Sequence, residues 1–159
     1  MELMDVAPPM TMDRLPPCEI FVDEEGEWYH KGNHMFRPEI LEMFYESLRL
    51  AGDGQFIVEW RGARCLLDAA DTPFVVSSVD RRGEEILLKL KHLAEPEVLA
   101  PSTLRVGESN VLYCRVREGC FPARFLRPAY YQIAEWIQED QETGEFYIQL
   151  ASTRFPIKV

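Results

Sequence analysis

The sequence lacks the long apolar run that a membrane-crossing helix needs; none of its hydrophobic stretches approaches ~20 residues. It also lacks any run of lysine or arginine, and 27 acidic against 17 basic residues leave a formal net charge of −10. That balance repels nucleic acid and anionic membrane, so neither is an expected partner. The four cysteines, Cys18, Cys65, Cys114 and Cys120, have neither zinc-knuckle spacing nor the density of a disulfide framework. Reduced thiols in a cytoplasmic protein are the expectation, and the chain is long enough to need no disulfide or metal staple. Missing too are G-x-S-x-G, G-x-x-x-x-G-K-[ST] and G-x-G-x-x-G. Nucleophilic catalysis and Walker-type or Rossmann-type nucleotide binding are thereby left without a motif.

What is present describes a globular protein. Hydrophobic residues make up 47% of the 159, and aromatic residues 11%, well above the level of disordered chains. The opening "MELMDVAPPMTMDRLPP" has acids where a signal peptide needs bases and four prolines where it needs an apolar run. Residues 1–16 are therefore expected to form a loose tail, neither a secretion signal nor an anchor.

After that tail, "CEIFVDEEGEWYHKG" reads as a hairpin. Pro38 suits a first helical position, where its missing N–H is no loss, and Ile40, Leu41, Phe44, Tyr45 and Leu48 recur at helical spacing until "AGDG". "QFIVEW", "ARCLLD", "PFVVSSV" and "EEILLKLKH" then predict four strands in an antiparallel meander. "LAEPEVLAPS" has two prolines and no period, which marks 95–103 as a linker. Beyond it, "NVLYCRVREGCFPARF" predicts a second hairpin. An amphipathic helix from Pro128 to about Asp140 follows, with Tyr130, Tyr131, Ile133, Ala134 and Ile137 on its apolar side. "EFYIQL" and "TRFPIKV" close the chain.

The order hairpin, helix, strand, strand thus occurs twice. Arg37 and Arg127, Gly54 and Gly144, Phe56 and Phe146, and Arg64 and Arg154 are each 90 residues apart, so the repeat aligns without a gap. The expectation is an α+β fold of mostly antiparallel strands built by internal duplication. The first unit with additional strands spans 17–94, and the second spans 104–159.

Each helix opens on Arg-Pro. Arginine has no acceptor for the free N–H groups of a helix start and stands on the wrong side of the helix dipole. Glu39 and Glu42 offset this in the first copy, whereas "PAYYQ" has no acid in the second. Arg127 is therefore the better candidate for an anion site, and Tyr130 and Tyr131 beside it could stack a ring while the arginine holds a phosphate. The alternative is that each arginine pairs with an acid of the other copy.

His30 and His34 form H-x3-H, but the pair spans a turn and not one helical face, so no metal site is expected. Asp68 and Asp71 could work as an acid and base, although beside a turn they more simply cap backbone N–H groups.

The chain resembles the bacterial family grouped as domain of unknown function 1285. "GEWYHKGNHMFR" is similar to that family's G-x-W-x-x-x-G with a spaced arginine, "DTPF" to its D-x-P-F, and "VREGCFPARFLRPAYYQI" to its V-R and A-x-x-x-R followed by two aromatics. The resemblance implies a duplicated α+β fold whose C-terminal half is loosely pleckstrin-homology-like. It also implies a ligand site between the halves for a nucleotide-like molecule, and a signalling role. Carried over by position, it points to Arg37, Asp71, Arg117, Arg127, Tyr130 and Tyr131. The chain departs from the pattern at Ala70 and Pro122, where the family commonly has acids, and in "STRFPI", which lacks its terminal glycine motif.

The resulting expectation is a small-molecule-binding or signalling accessory module, without cofactor or metal and without catalysis of its own. A hydrolase using His30, His34 and Asp71, or a protein-interaction adaptor without a ligand, stays as the alternative.

Overall fold

The computed structural model describes residues 15–159; the expected tail lies almost wholly outside them. The described chain divides into two compact units. The first holds the segment up to Val22 together with Glu27–Ala70, and the second holds Asp23–Gly26 and Asp71–Val159. The architecture is α+β, mostly strands with two helices.

Unit 1 contains β1 (Pro17–Val22), β2 (Trp28–His30), β3 (Asn33–Met35), α1 (Pro38–Glu46), β4 (Leu48–Leu50), β5 (Phe56–Trp60) and β6 (Ala63–Ala69). They form one sheet in the order β3-β2-β1-β6-β5-β4, with β1 and β6 parallel at its centre. The two-residue turns Lys31-Gly32 and Arg61-Gly62 have left-handed backbone at both positions, the conformation that closes a tight hairpin. Strand β1 carries a register irregularity against β6 between Pro17 and Phe21, around Glu19 with φ 64°. The Glu19 carbonyl turns aside to accept the Lys31 N–H at 2.9 Å.

Helix α1 buries Leu41 and Tyr45 beside the fully buried Trp28. The indole N–H donates to the Tyr45 hydroxyl at 3.0 Å, so this tryptophan enters the core with its polar atom satisfied. The helix ends earlier than expected. Ser47 caps it, Leu48 already belongs to β4, and the Ser47 carbonyl accepts the Glu59 N–H.

Unit 2 contains β7 (Phe74–Arg82), β8 (Glu85–Leu90), β9 (Glu97–Val98), β10 (Arg105–Val106), β11 (Leu112–Val116), β12 (Phe121–Phe125), α2 (Arg127–Ala134), β13 (Ile137–Glu139), β14 (Phe146–Leu150) and β15 (Thr153–Pro156). The first six strands form a sheet in the order β10-β11-β12-β7-β8-β9, and the last three form β13-β14-β15. The four-strand meander is therefore corrected. β5 and β6 pair with each other, but β7 and β8 belong to the other sheet, where β7 lies parallel to β12. A hydrophobic run reports burial and not which neighbour provides it. Residues 95–103, read as a linker, contribute β9 and a 3-10 turn to this unit. The second helix is also shorter than expected, because Ile137 is already in β13.

The two-copy reading is visible in the topology. An isolated parallel bridge joins Arg105 of β10 to Lys158 just beyond β15, with the Val106 N–H donating to the Lys158 carbonyl at 2.7 Å. Traced through that bridge, β13-β14-β15-β10-β11-β12 repeats the order β4-β5-β6-β1-β2-β3, down to the parallel contact at the centre. The hairpin pairs Trp60↔Ala63 and Leu150↔Thr153 keep the 90-residue offset.

The helices do not keep it. The buried pair Leu41 and Tyr45 corresponds to Ala129 and Ile133, an offset of 88, so the gapless alignment is corrected.

The cysteine expectation is corrected as well. Cys18 on β1 and Cys65 on β6 lie side by side on adjacent strands and form a disulfide. Their separation of 47 residues hid the pairing in the sequence. Such bonds persist in oxidising compartments, so the cytoplasmic expectation loses the support it drew from reduced thiols. Cys114 and Cys120 are free.

Candidate functional site

Strand β12 places every second residue inward: Phe121, Ala123 and Phe125 are buried, which leaves Arg124 facing the other way. The chain then turns at Leu126, the N-cap of α2, whose extended backbone is the usual conformation of an N-cap residue. Arg127 is the first residue of the helix, no side chain caps the helix start, and no acid stands in its first turn. In α1, by contrast, Arg37 is the N-cap and Glu39 occupies the first turn. Counted from the helix starts, with Arg37 and Leu126 as the two N-caps, Arg127 falls on Pro38, one position before Glu39. The second copy thus puts a cation in the first turn, where the first copy has the anion that the dipole favours.

Arg124, Arg127, Tyr130 and Tyr131 line one cavity of about 230 Å³ with Ser109 and Asn110. Both of the latter have left-handed backbone, at φ 58° and 60°, a costly conformation for two successive non-glycine residues. The Arg127 side chain has no ion-pair partner among the described residues, and neither has that of Arg37. The expected pairing of these arginines with acids is therefore not what occupies them.

A second cavity of about 510 Å³ shares Asn110, Leu112 and Tyr130 with the first. Its remaining wall is apolar and includes Ala134, Ile137, Phe146 and Ile157.

Arg124 is fixed from behind. Asp71 Oδ2 accepts from Arg124 Nη1 at 2.7 Å and from the Tyr113 hydroxyl at 2.6 Å. The Arg105 guanidinium covers the Tyr113 ring at 4.5 Å. Burial, followed by the hydrogen bond to Asp71 and its negative charge, pushes the Tyr113 phenol up from its ordinary value. For Arg124, desolvation works against the charge, but the bond to Asp71 and the attraction of its carboxylate outweigh it and raise the pKa. Next to Asp71, the Thr72 hydroxyl donates to the Phe74 carbonyl at 2.7 Å and accepts the Arg124 N–H at 3.1 Å. The "DTPF" stretch therefore locks the parallel junction of β7 and β12, which pairs Ala123 with Phe74.

Of the six residues singled out, Arg127, Tyr130 and Tyr131 share one cavity, and Asp71 reaches its wall through Arg124. Arg117 stands elsewhere in unit 2, with its N–H donating to Glu97 Oε2 at 2.7 Å and its guanidinium 5.3 Å from the Phe74 ring centre. Arg37 belongs to unit 1, where it lines a separate cavity of about 500 Å³ with His30, His34 and the Cys18–Cys65 pair. His34 Nε2 lies 2.9 Å from Glu27 Oε1. His30 and His34 are thus residues of unit 1 and Asp71 of unit 2. Among the described residues no group of three or more His, Cys, Asp or Glu is placed to hold a metal. None of their helices is long and apolar enough to cross a membrane.

Arg124 and Asn110 were missed. For Arg124 the signal was present: the alternation Phe121, Ala123, Phe125 predicts an arginine on the opposite face of a strand.

No family model and no curated protein matches the chain. Two solved structures share its fold. One is a DUF1285 family protein from Silicibacter pomeroyi, 17% identical with a TM-score of 0.72, covering 96% of this chain and 89% of that one. The other is a DUF1285 family protein from Shewanella baltica, 12% identical with a TM-score of 0.64, covering 75% of this chain and 91% of that one. The chain therefore has the fold of DUF1285 family proteins, the fold that the resemblance implied.

Proposed function

We propose that the chain is a binding module for a small anionic molecule, with an accessory signalling role and no chemistry of its own. Its site is the cavity of unit 2 around Arg127. One observation carries this reading: an exposed guanidinium without an ion-pair partner among the described residues opens a helix that has no acid in its first turn. It does so on the wall of a cavity, in a chain of net charge −10. In such a chain a cation left unpaired amid plentiful acids is available to a ligand. Arg127 supplies charge, Arg124 supplies donors that Asp71 holds in place, and Tyr130 and Tyr131 supply ring faces.

Thermal-shift screening of nucleotides, sugar phosphates and carboxylates on the wild type and on Arg127→Ala tests the reading. Binders are expected to raise the melting temperature of the wild type and to lose most of that shift in the variant. A panel whose hits shift both proteins equally would sink the assignment.

A further inference from the structure

We infer that the anion taken by this site carries an aliphatic tail, and that the ligand is a single-chain fatty carboxylate. The inference rests on the proposed anion site and names its ligand class. The cationic cavity and the 510 Å³ cavity have Asn110, Leu112 and Tyr130 in common in their walls, so charged and apolar surfaces adjoin at those residues.

The larger cavity is within the range of about 300–1,000 Å³ usual for small-molecule sites. Its wall is built mainly from Leu112, Ala134, Ile137, Phe146 and Ile157, and the Asn110 amide and the Tyr130 hydroxyl are the polar side-chain groups among the residues that line it. A nucleobase placed there would leave most of its ring donors and acceptors without partners, which is costly for buried polar groups. A hydrocarbon chain loses nothing and gains transfer free energy for every methylene. Phe146 is 47% exposed and Tyr130 36% exposed, so a chain lying between them would remove apolar surface from water. The charge pattern then fixes polarity. Arg127, on the wall of the smaller cavity, takes the carboxylate, and Arg124, already bonded to Asp71, supplies remaining donors.

The test is calorimetric titration of the full chain with octanoate, decanoate and dodecanoate below their micelle-forming concentrations. Decanol and adenosine monophosphate serve as controls, and Arg127→Ala and Ala134→Phe are the variants. The affinity is expected to rise about fourfold per methylene. Decanol is expected to bind about tenfold or more weakly than decanoate, and Arg127→Ala to bring decanoate down to the decanol level, the size of one charge-assisted contact. Ala134→Phe fills the apolar cavity and is expected to abolish the chain-length dependence. If that variant loses its cooperative melt, Ala134→Leu, with less added bulk, carries the same expectation.

Affinities flat in chain length, or an acid and an alcohol bound equally, overturn the inference. If the monophosphate binds with Arg127 dependence while the carboxylates do not, the inference falls and the anion site stands. If no anion shows Arg127 dependence, the anion site itself falls.

Discussion

Replacing Asp71 by asparagine removes one charge and leaves the shape of the side chain nearly intact. In the structure, Asp71 Oδ2 accepts two short hydrogen bonds, from Tyr113 at 2.6 Å and Arg124 at 2.7 Å. Bonds to a charged group contribute about 1.5–3 kcal/mol each. Two corrections reduce the sum. The Arg124 and Asp71 side chains remain 21% and 24% exposed, so solvent screens part of their attraction. An asparagine oriented with its oxygen toward Arg124 also retains some of the hydrogen bonding. A net loss of about 2 kcal/mol is expected, which for a chain of this size corresponds to a melting temperature lower by about 4–8 °C. Because other causes could lower stability equally, the decisive measurement is a double-mutant cycle in urea with Arg124→Met. Groups in direct contact should show a coupling of about 0.5–3 kcal/mol. If the two single losses add to within about 0.3 kcal/mol, the limit for independent sites, the pair does not hold Arg124 in place and the account of the cavity wall is wrong.

Three other consequences are open to direct measurement. The Tyr113 phenol is held above its ordinary value of 10.0 by burial and by Asp71, so the folded state keeps a proton that the unfolded chain gives up. That stability is fully present below the unfolded value and drains away as pH rises from there through the folded one. Unfolding free energies should therefore fall above about pH 10, and Tyr113→Phe should lose that component of the slope; an unchanged slope would assign it to another group. The Cys18–Cys65 bond closes a loop over a separation of 47 residues, worth about 4 kcal/mol in the chain-entropy account. Reduction, or the double change to serine, should lower the melting temperature by about 8–16 °C, and an unaltered melt under reductant would argue against the bond. In the oxidised protein Cys120 should react with a thiol reagent while Cys114 does not, since burial pushes the Cys114 thiol up to about 12.

Local features were legible in the sequence where local chemistry decided them. Lys31-Gly32 and Arg61-Gly62 announce tight turns, Pro38 announces a helix start, and the alternation in "FPARF" announces a strand with one buried face. What escaped were pairings set by tertiary neighbours. The run "PFVVSSV" fits an antiparallel meander with β6 as well as it fits the parallel contact with β12 that it makes. Nothing in "PCEIFV" or "ARCLLD" says that Cys18 and Cys65 meet, because parallel strands are joined by a long crossover. The site was half legible for the same reason. Arg127, Tyr130 and Tyr131 are close in sequence and come together, whereas Asp71 and Arg124 are 53 residues apart and joined through the β7–β12 junction. Asn110 sits in a loop with no motif at all.

The slip between the copies bears on Arg127 most directly. One residue of α-helix turns its face by about 100°, so the slip of one residue between the two helix starts carries the second Arg-Pro to a different side of the helix from the first. Arg37 became an N-cap residue, while Arg127 entered the first turn, where α1 has Glu39. A cation at that position costs about 0.3–1 kcal/mol against the helix dipole, and no acid in the first turn offsets it. A residue kept at an unfavourable position is expected when function opposes stability. Arg127→Glu should therefore make the ligand-free protein more stable by about 0.5–1 kcal/mol, measured by urea denaturation, and should remove anion binding altogether. Salt supplies the control. The gain should shrink as ionic strength rises, because charge at an exposed helix end is screened. A variant less stable than the wild type at every ionic strength would mean that Arg127 supports the fold through a contact of its own, and the case for leaving it to a ligand would collapse.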